Sequence, residues 1–364
     1  LRKLGLSPTQ ASAIKIAIER SPAQISGLIS TPLMLNLVVI VYEYEREIPP
    51  TLPEFFERLF QVVFSRHDRF KAGFNRKHHT GLSDLRLQNL FEAFCFMTLQ
   101  NGFGRSLSSE QFAVVFDQAQ EYSSGCSCEL EDFRLDIVKV ACLMLEEGVD
   151  TTTFLHKSLL EYYAASFIKH SIDDTARLFY AEMRKSQKGW TQVIRFLGDI
   201  DPYRYAKDFA LGEYQAVDDE FIAPILTSTQ ESDLLRKLLH LHPNFGGTYY
   251  SQAEDQYRLE AFGDFNLDRR IAYEDLDDLL IRATEAALPA TVDPGELEEI
   301  LGRSIEHEDF HEEHVGLSSI FSTGGAGEFR IAVEIFAQRI REKTDEMKQI
   351  IEEHEKRRLI FSSR

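Results

Sequence analysis

Apolar residues recur at helical spacing along much of this chain of 364 residues. The segment from Ser83 to Gln100 is the clearest case, because its apolar side chains fall three and four residues apart and Gly102 follows as a stop. Other segments open with a capping side chain followed by proline, a pattern typical of helix starts. These starts are Ser7-Pro8, Ser21-Pro22, Thr31-Pro32 and Asp293-Pro294. The pattern predicts a mainly helical protein.

Residues 84 to 156 predict a succession of helices followed by strands. After the first helix, Ser108 and Gln111 have the spacing of a capping box, which opens a helix that runs to about Tyr122. A third helix is predicted over about 131–143, and the β-branched residues near 149–154 then predict a small hairpin. Three helices followed by a hairpin is the element order of a winged-helix domain. That fold binds DNA, binds proteins or acts as a structural module, so it identifies no function by itself.

Beyond residue 170 the pattern predicts helices alone, and no fixed repeat period links them. They fall at about 173–186, 189–199, 202–211, 230–242, 250–261 and 273–288. A last helix is predicted from Phe329 to Leu359. The predicted fold class is therefore mainly α: a helical domain, a winged-helix domain with a small β-hairpin, and an irregular all-α C-terminal region.

The charge and cysteine content disfavour several classes of protein. The formal net charge is -19, from 59 acidic and 40 basic residues, which opposes sequence-independent attraction to nucleic acid or to an anionic membrane. The four cysteines form no C-x-x-C pair, which favours reduced thiols in a cytoplasmic protein. The longest apolar run, from Pro32 to Tyr42, is about half of what crosses a bilayer. We therefore expect a cytoplasmic protein without a membrane segment.

Three short motifs could carry chemistry, and each has a simpler interpretation. His307 and His311 belong to an H-E-x-x-H string, with His314 after it, which on an apolar helix would bind zinc. The neighbours are mostly charged and favour a solvated face, so no metal site is predicted. The basic run from Arg66 to His79 is most simply a loop, with an anion or partner contact as the alternative. Gly324 to Gly327 has no strand before it and predicts a flexible hinge, not a phosphate loop.

The junction at His156 is the most informative feature of the chain. A short β-prone run, Thr151 to Leu155, ends one residue before His156, and an amphipathic helix begins just after it. The imidazole is thereby placed beside the N–H groups that the first turn of a helix leaves unpaired. Such a junction can face a phosphate. A histidine packed inside the core of a small domain is the alternative.

The residues from Phe154 to Ala165 resemble the signature that closes the winged-helix domain of NACHT-type NTPases, broadly Phe-x-His-x-Ser-Phe-x-Glu-Tyr-Phe-Ala-Ala. These are STAND-class signalling ATPases, which include NOD-like immune receptors and bacterial antiphage relatives. A second stretch, Ser30 to Leu37 with Ile48-Pro49-Pro50 and Phe55 to Leu59, is similar to the helical domain that precedes the winged helix in that family. The resemblance covers roughly residues 1 to 170.

The resemblance implies roles for two residues. In that family the winged-helix histidine approaches the β-phosphate of bound ADP and helps to hold the closed, inactive state, and His156 occupies this position. The family's helical-domain proline packs against the adenine, and Pro32 occupies that position, although it can equally be a helix starter only. Leu159 stands where the family commonly has an aromatic residue. No catalytic residue and no metal ligand is predicted.

The family's phosphate-binding loop and magnesium-binding strand do not occur in this sequence, which begins at Leu1 instead of Met. We therefore expect it to be part of a longer protein. The full-length protein would be an ATPase that holds ATP or ADP with Mg. This chain alone is expected to hold no nucleotide and to be inactive, because the groups that bind the phosphates and the metal are missing.

The expected organisation has four parts. They are a helical-domain remnant over 1–65, the winged helix over 66–170, a helical sensor or autoinhibitory region over 171–328, and a long helix over 329–364.

The resemblance implies that the chain is the regulatory part of a NACHT-type signalling NTPase in innate or antiphage defence. Its implied partners are its own N-terminal nucleotide-binding domain, further copies of itself on activation, and an unknown trigger. The alternative is a winged-helix module that binds protein or nucleic acid without nucleotide, and the acidic charge disfavours nucleic acid.

Overall fold

The computed structural model shows a mostly helical protein with two small antiparallel sheets. It describes residues 7–21, 23–29, 31–63, 78–241, 245–253, 256–263, 270–305 and 312–359. The chain divides into two compact units. Unit 1 comprises Leu1–Ala176 with Gln192–Pro202, and unit 2 comprises Arg177–Thr191 with Tyr203–Arg364. Within the described ranges, no helix has both the length and the apolar character that a membrane span requires.

Unit 1 opens with four helices, three of which have proline in the first turn. They are α1 (Pro8–Arg20), α2 (Ala23–Leu28), α3 (Pro32–Glu45) and α4 (Leu52–Gln61). Thr31 and Thr51 cap α3 and α4, because each hydroxyl accepts a hydrogen bond from the N–H group three residues later. Proline costs little there, since the first N–H groups of a helix have no partner within it. The predicted helix start at Thr31-Pro32 is confirmed.

The middle of unit 1 combines three helices with a three-stranded sheet. In chain order these are α5 (Asp84–Gln100), β1 (Ser106–Ser108), α6 (Ser109–Tyr122), α7 (Leu130–Leu135) with a π-helical extension over Asp136–Val140, β2 (Met144–Glu147) and β3 (Thr151–Phe154). The sheet is antiparallel in the order β1-β3-β2. The three predicted helices and the hairpin are confirmed. Strand β1 was not predicted, because Ser-Leu-Ser is too short to show an alternating pattern.

Helix α8 (Lys157–His170) is anchored in the core of unit 1. The residues from Leu159 to Ala165 are all buried. Tyr163 donates its hydroxyl hydrogen bond to the carbonyl of Phe56 on α4, at 2.9 Å. Its ring centroid lies 5.1 Å from that of Phe91 on α5, in an edge-to-face arrangement. The packing of these residues fixes the position at which α8 begins.

Two further helices, α9 (Asp173–Met183) and α10 (Thr191–Ile200), precede the main part of unit 2. The helices that follow are α11 (Pro202–Arg204), α12 (Leu211–Val217), α13 (Ala223–Thr227), α14 (Glu231–Leu241), α15 (Glu274–Ala287), α16 (Pro294–Leu301), α17 (Leu317–Ser322) and α18 (Ala326–Leu359). Between α11 and α13 the chain stays helical through π-helical segments at Tyr205–Ala210 and Asp218–Ile222. A 3-10 turn at Ile271–Tyr273 leads into α15.

Unit 2 also contains a four-stranded antiparallel sheet. Its strands are β4 (Phe245–Ala253), β5 (Gln256–Gly263), β6 (Thr291–Val292) and β7 (Glu312–Gly316), in the order β6-β5-β4-β7. The prediction of an all-α C-terminal region, with a helix over 250–261, is therefore wrong. In β5 the apolar Tyr257 and Leu259 alternate with the charged Arg258 and Glu260, and this period of two belongs to a strand.

The long C-terminal helix predicted from Phe329 is confirmed as α18, which begins three residues earlier at Ala326. Gly324 before it has a φ of 92°, a conformation that favours glycine. A Cβ atom on Gly325 would lie 2.7 Å from Cγ2 of Ile320 and 2.9 Å from Cβ of Ala287. Close packing of the turn thus accounts for Gly325.

Candidate functional site

His156 connects β3 to α8 in an extended backbone conformation, with φ -146° and ψ 146°. Its side chain caps the helix, because Nδ1 accepts a hydrogen bond from the backbone N–H of Ser158 at 3.1 Å. The imidazole thus satisfies one of the N–H groups that the first turn leaves without a partner. The predicted strand, histidine and helix lie in the predicted order, and the residue itself is partly buried.

The capping hydrogen bond fixes which ring nitrogen carries the proton. Because Nδ1 of His156 is an acceptor, the neutral ring has its hydrogen on Nε2. Burial, and to a smaller extent the nearby Arg105 guanidinium, lower the pKa of His156 below its ordinary value. The ring is therefore neutral at physiological pH. Its one ring N–H donor is then Nε2–H.

Arg105 places a positive charge close enough to the His156 ring to lower its pKa. Its Nε donates a hydrogen bond to the carbonyl of Phe154 at 2.9 Å, and its own carbonyl accepts one from the Phe154 N–H at 2.9 Å. This double attachment holds the arginine next to the junction while the residue stays exposed. A neutral N–H donor with an adjacent guanidinium is suited to an anionic oxygen. The sequence analysis missed Arg105, which lies 49 residues from Phe154 and carries no motif of its own.

Pro32, the second predicted site residue, begins α3 and is exposed. Thr31 caps the same turn, with its Oγ1 accepting from the Met34 N–H at 3.2 Å. Pro32 therefore has a structural role at the start of α3, which does not depend on contact between its ring and a ligand. The structure places Arg105 near His156, which lies between β3 and α8, and places Pro32 at the start of α3 in the same unit.

The other motifs contribute no site among the described residues. His307 and His311 lie outside those residues, and His314 is exposed on β7. In the part of the chain that the structure describes, no group of three or more His, Cys, Asp or Glu side chains could hold a metal ion. Burial raises the pKa of Cys128 to about 11, so this thiol is not poised for redox or metal chemistry.

Of the basic run, residues 66–77 also lie outside the described residues. His78 and His79 are tied to the domain. The ring of His78 contacts the carboxylate of Asp84 at 2.7 Å. The N–H of His79 donates to the buried carboxylate of Asp136 at 2.9 Å. These two histidines anchor the chain at the end of the run.

The third helix and the hairpin of unit 1 carry an acidic surface. Glu129 and Glu131 are exposed at the start of α7, and Glu146, Glu147 and Asp150 belong to the β2–β3 hairpin. Two cations lie among them: Lys139 contacts the carboxylate of Glu146, and Arg134 lies 3.8 Å from the carboxylates of Glu131 and Glu146. The acidic side chains outnumber these two cations, and this excess of negative charge opposes non-specific attraction to a phosphate backbone.

Comparison with protein-family models, with curated proteins and with solved structures finds no match for this chain. The chemistry of the junction is therefore interpreted from its own geometry.

Proposed function

We propose that this chain is the C-terminal regulatory part of a NACHT-type signalling NTPase, in which His156 senses the phosphates of bound ADP or ATP. One observation supports this above all: the capping bond through Nδ1 leaves Nε2–H of His156 as a donor beside the Arg105 guanidinium. The phosphate would be presented by the protein's own N-terminal nucleotide-binding domain. ATP or ADP and Mg would be held there and not by this chain.

The proposal includes a winged-helix domain within residues 66–170. Its support is the element order helix, strand, helix, helix, strand, strand over 84–154, with the last strand between the other two. Leu155 and then His156 follow that last strand. A domain of this kind would work as a lid whose contact with the nucleotide depends on the nucleotide bound.

The mechanism is a two-state switch. Donors from His156 and Arg105 would stabilise the closed state when ADP is bound, because charge-assisted hydrogen bonds to phosphate are short and strong. Exchange for ATP would release the lid, since a ligand shifts such an equilibrium only by its difference in affinity for the two states. The released protomers would then assemble with further copies, under the control of an unknown trigger in innate or antiphage defence.

The test uses His156→Asn in the full-length protein. Asparagine is a good N-cap, so this variant keeps a capping acceptor. When its Oδ1 caps the helix, its shorter amide cannot place an N–H at the position of Nε2–H. Purified protein is denatured and its nucleotide content measured by chromatography, and its assembly state by light scattering. We expect less retained ADP and more basal assembly than in the wild type, with the same direction for Arg105→Gln.

His240→Asn is the matched control, because His240 is an exposed histidine on α14 in unit 2. It should behave as the wild type. Unchanged ADP content together with unchanged basal assembly in His156→Asn would refute the proposal.

A second candidate function is a winged-helix module that binds a protein partner without nucleotide. The observation that favours it is the hairpin tip, where Val149 is 103 % exposed between acidic residues. A gel-shift series at two salt concentrations separates this candidate from nucleic-acid binding, because phosphate-driven binding weakens steeply with salt. We expect no shift at either concentration.

A further inference from the structure

A cavity of about 400 Å³ lies at the opposite end of α8 from His156, within unit 1. It is bounded by α5, by the end of α6 and by the start of α9. Its polar lining includes Asn89, Ser123, His170 and Thr175, and its apolar lining includes Tyr122 and Ile172. The volume falls within the range of small-molecule sites in proteins.

The acidic residue of the cavity, Glu92, is already fully engaged. Its side chain is buried, with 1 % exposure, and Oε1 accepts hydrogen bonds from Gln88 Nε2 and Ser166 Oγ, both at 2.8 Å. Oε2 lies 2.9 Å from Nδ1 of His170. The carboxylate therefore has little capacity left for a ligand or a cation. Its effect is to orient the imidazole and to favour its charged form.

His170 supplies the charge that a ligand would meet. Its side chain is 53 % exposed and lines the cavity, and because Nδ1 is bound to Glu92, the nitrogen it can offer is Nε2. When protonated, the ring presents Nε2–H as a charged donor. A single imidazolium whose charge is partly offset by a buried carboxylate favours a monoanion over a phosphate dianion.

The remaining lining sets the shape and polarity of a ligand. Tyr122 and Ile172 are large side chains with 64 % and 73 % exposure, and both stand at the cavity. They offer apolar surface that a ligand could cover, which would stabilise the complex. The hydroxyl groups of Ser123 and Thr175 can share hydrogen bonds with an anionic oxygen.

We propose that this cavity binds a small monocarboxylate with an aromatic or aliphatic body, whose carboxylate accepts a hydrogen bond from Nε2–H of His170. The apolar body would lie against Tyr122 and Ile172. The site is independent of the junction at His156 and does not rest on the proposed nucleotide function.

Binding at this site should depend on pH. The hydrogen bond to Glu92 raises the pKa of His170, against the smaller opposing effect of burial. The other charged groups that act on the ring are Lys169 on α8 and Glu57 on α4. Above that pKa the free ring is neutral, so the ring must take up one proton from solvent when the carboxylate binds. Each further pH unit therefore lowers the affinity about tenfold.

The experiment uses the 364-residue chain and benzoate as the probe, with binding followed by isothermal titration calorimetry and by the NMR signal of the His170 ring. Benzyl alcohol and inorganic phosphate are the comparison probes. We expect saturable binding of benzoate near pH 6, at least about tenfold weaker binding of both comparison probes, and a steep loss of benzoate affinity above the pKa of His170.

The variants are His170→Gln, which should abolish benzoate binding, and His240→Gln, which should leave it intact. Circular dichroism establishes that both variants are folded. A second pair of variants, Ser123→Ala and Ile172→Ser, should weaken binding without altering the pH dependence. Three results would each overturn the proposal: no saturable binding at pH 6, equal binding of benzyl alcohol, or equal binding by a folded His170→Gln protein.

Discussion

The two ends of α8 carry the same residue in opposite chemical settings. At the N-terminal end, His156 accepts a hydrogen bond from the helix itself, and burial together with Arg105 lowers its pKa. At the C-terminal end, His170 is paired with the buried carboxylate of Glu92, which raises its pKa. The helix dipole acts in the same sense, because it disfavours a cation at the start and favours one at the end.

The difference shows that the two histidines can attract an anion in two different ways. A neutral ring at the start of a helix is a directional donor and gains anion affinity only from a neighbour such as Arg105. A charged ring at the end of a helix carries its own attraction for an anion. Under the two proposals made above, the first position would contact a phosphate group held by another domain, and the second would bind a small carboxylate.

Glu92→Ala is the change with the largest expected effect on this comparison. It removes the partner of His170 and leaves Gln88 and the buried Ser166 without their acceptor. We expect the free energy of unfolding to fall by about 2 kcal/mol, below the cost of breaking a fully buried ion pair because His170 is half exposed. Urea unfolding followed by circular dichroism measures the change.

Glu92→Gln is the matched control, since it keeps one acceptor oxygen and should lose less stability than the alanine variant. The pKa of His170 should fall in both variants. Unaltered stability in Glu92→Ala would show that the pair does not tie α5 to α8.

His156→Ala is expected to have the next largest effect. It deletes the side-chain cap of α8, which should cost about 1 kcal/mol. His156→Asn keeps a capping oxygen and should stay within about 0.5 kcal/mol of the wild type. Hydrogen exchange of the amides near Ser158, measured by mass spectrometry, reports the loss locally. Equal destabilisation by the two substitutions would contradict the capping role.

A smaller effect is expected in the pH dependence of the free energy of unfolding. His156 and His170, at the two ends of α8, contribute to it with opposite signs. Below about pH 6.5 the unfolded chain takes up a proton at His156 before the folded one does, so stability falls as the pH falls through that range. The contribution of His170 is fully present below about pH 6.5 and is lost as the pH rises through its higher folded pKa. His156→Asn should flatten the acid side of the stability curve, and His170→Gln the alkaline side. If His156→Asn flattened the alkaline side of the curve instead and His170→Gln the acid side, the directions of the two pKa shifts would be contradicted.

Local patterns allowed much of unit 1 to be predicted. The helical spacing of Leu87, Leu90 and Phe94 predicted α5, and the capping box at Ser108 predicted α6, because these signals lie within a few residues of the structure they cause. The position of His156 between a strand and a helix was predicted for the same reason. The domain boundaries and the roles of His156 and Pro32 stay predictions.

Features that depend on distant residues could not be predicted. Glu92 and His170 are 78 residues apart, and Arg105 and Phe154 are 49 apart, so no local pattern joins them. The sheet of unit 2 was missed for two reasons. The alternation of apolar and charged residues from Tyr257 to Glu260 in β5 was mistaken for part of a helical pattern over 250–261. The edge of the sheet gives no local signal either. Its strand β6 has two residues and pairs with β5 more than thirty positions away, and a strand of that length has no period to detect.

The most direct test of the central claim is an NMR pH titration that follows both rings, with nitrogen chemical shifts that identify the protonated nitrogen. His156 should titrate below about pH 6.5 and, when neutral, should carry its proton on Nε2, while His170 should titrate above about pH 6.5. A neutral His156 ring protonated on Nδ1, or a pKa of His156 above that of His170, would contradict the claim. The claim is that α8 begins beside an Nε2–H donor on a ring that loses its charge readily and ends in a ring that keeps its proton to higher pH.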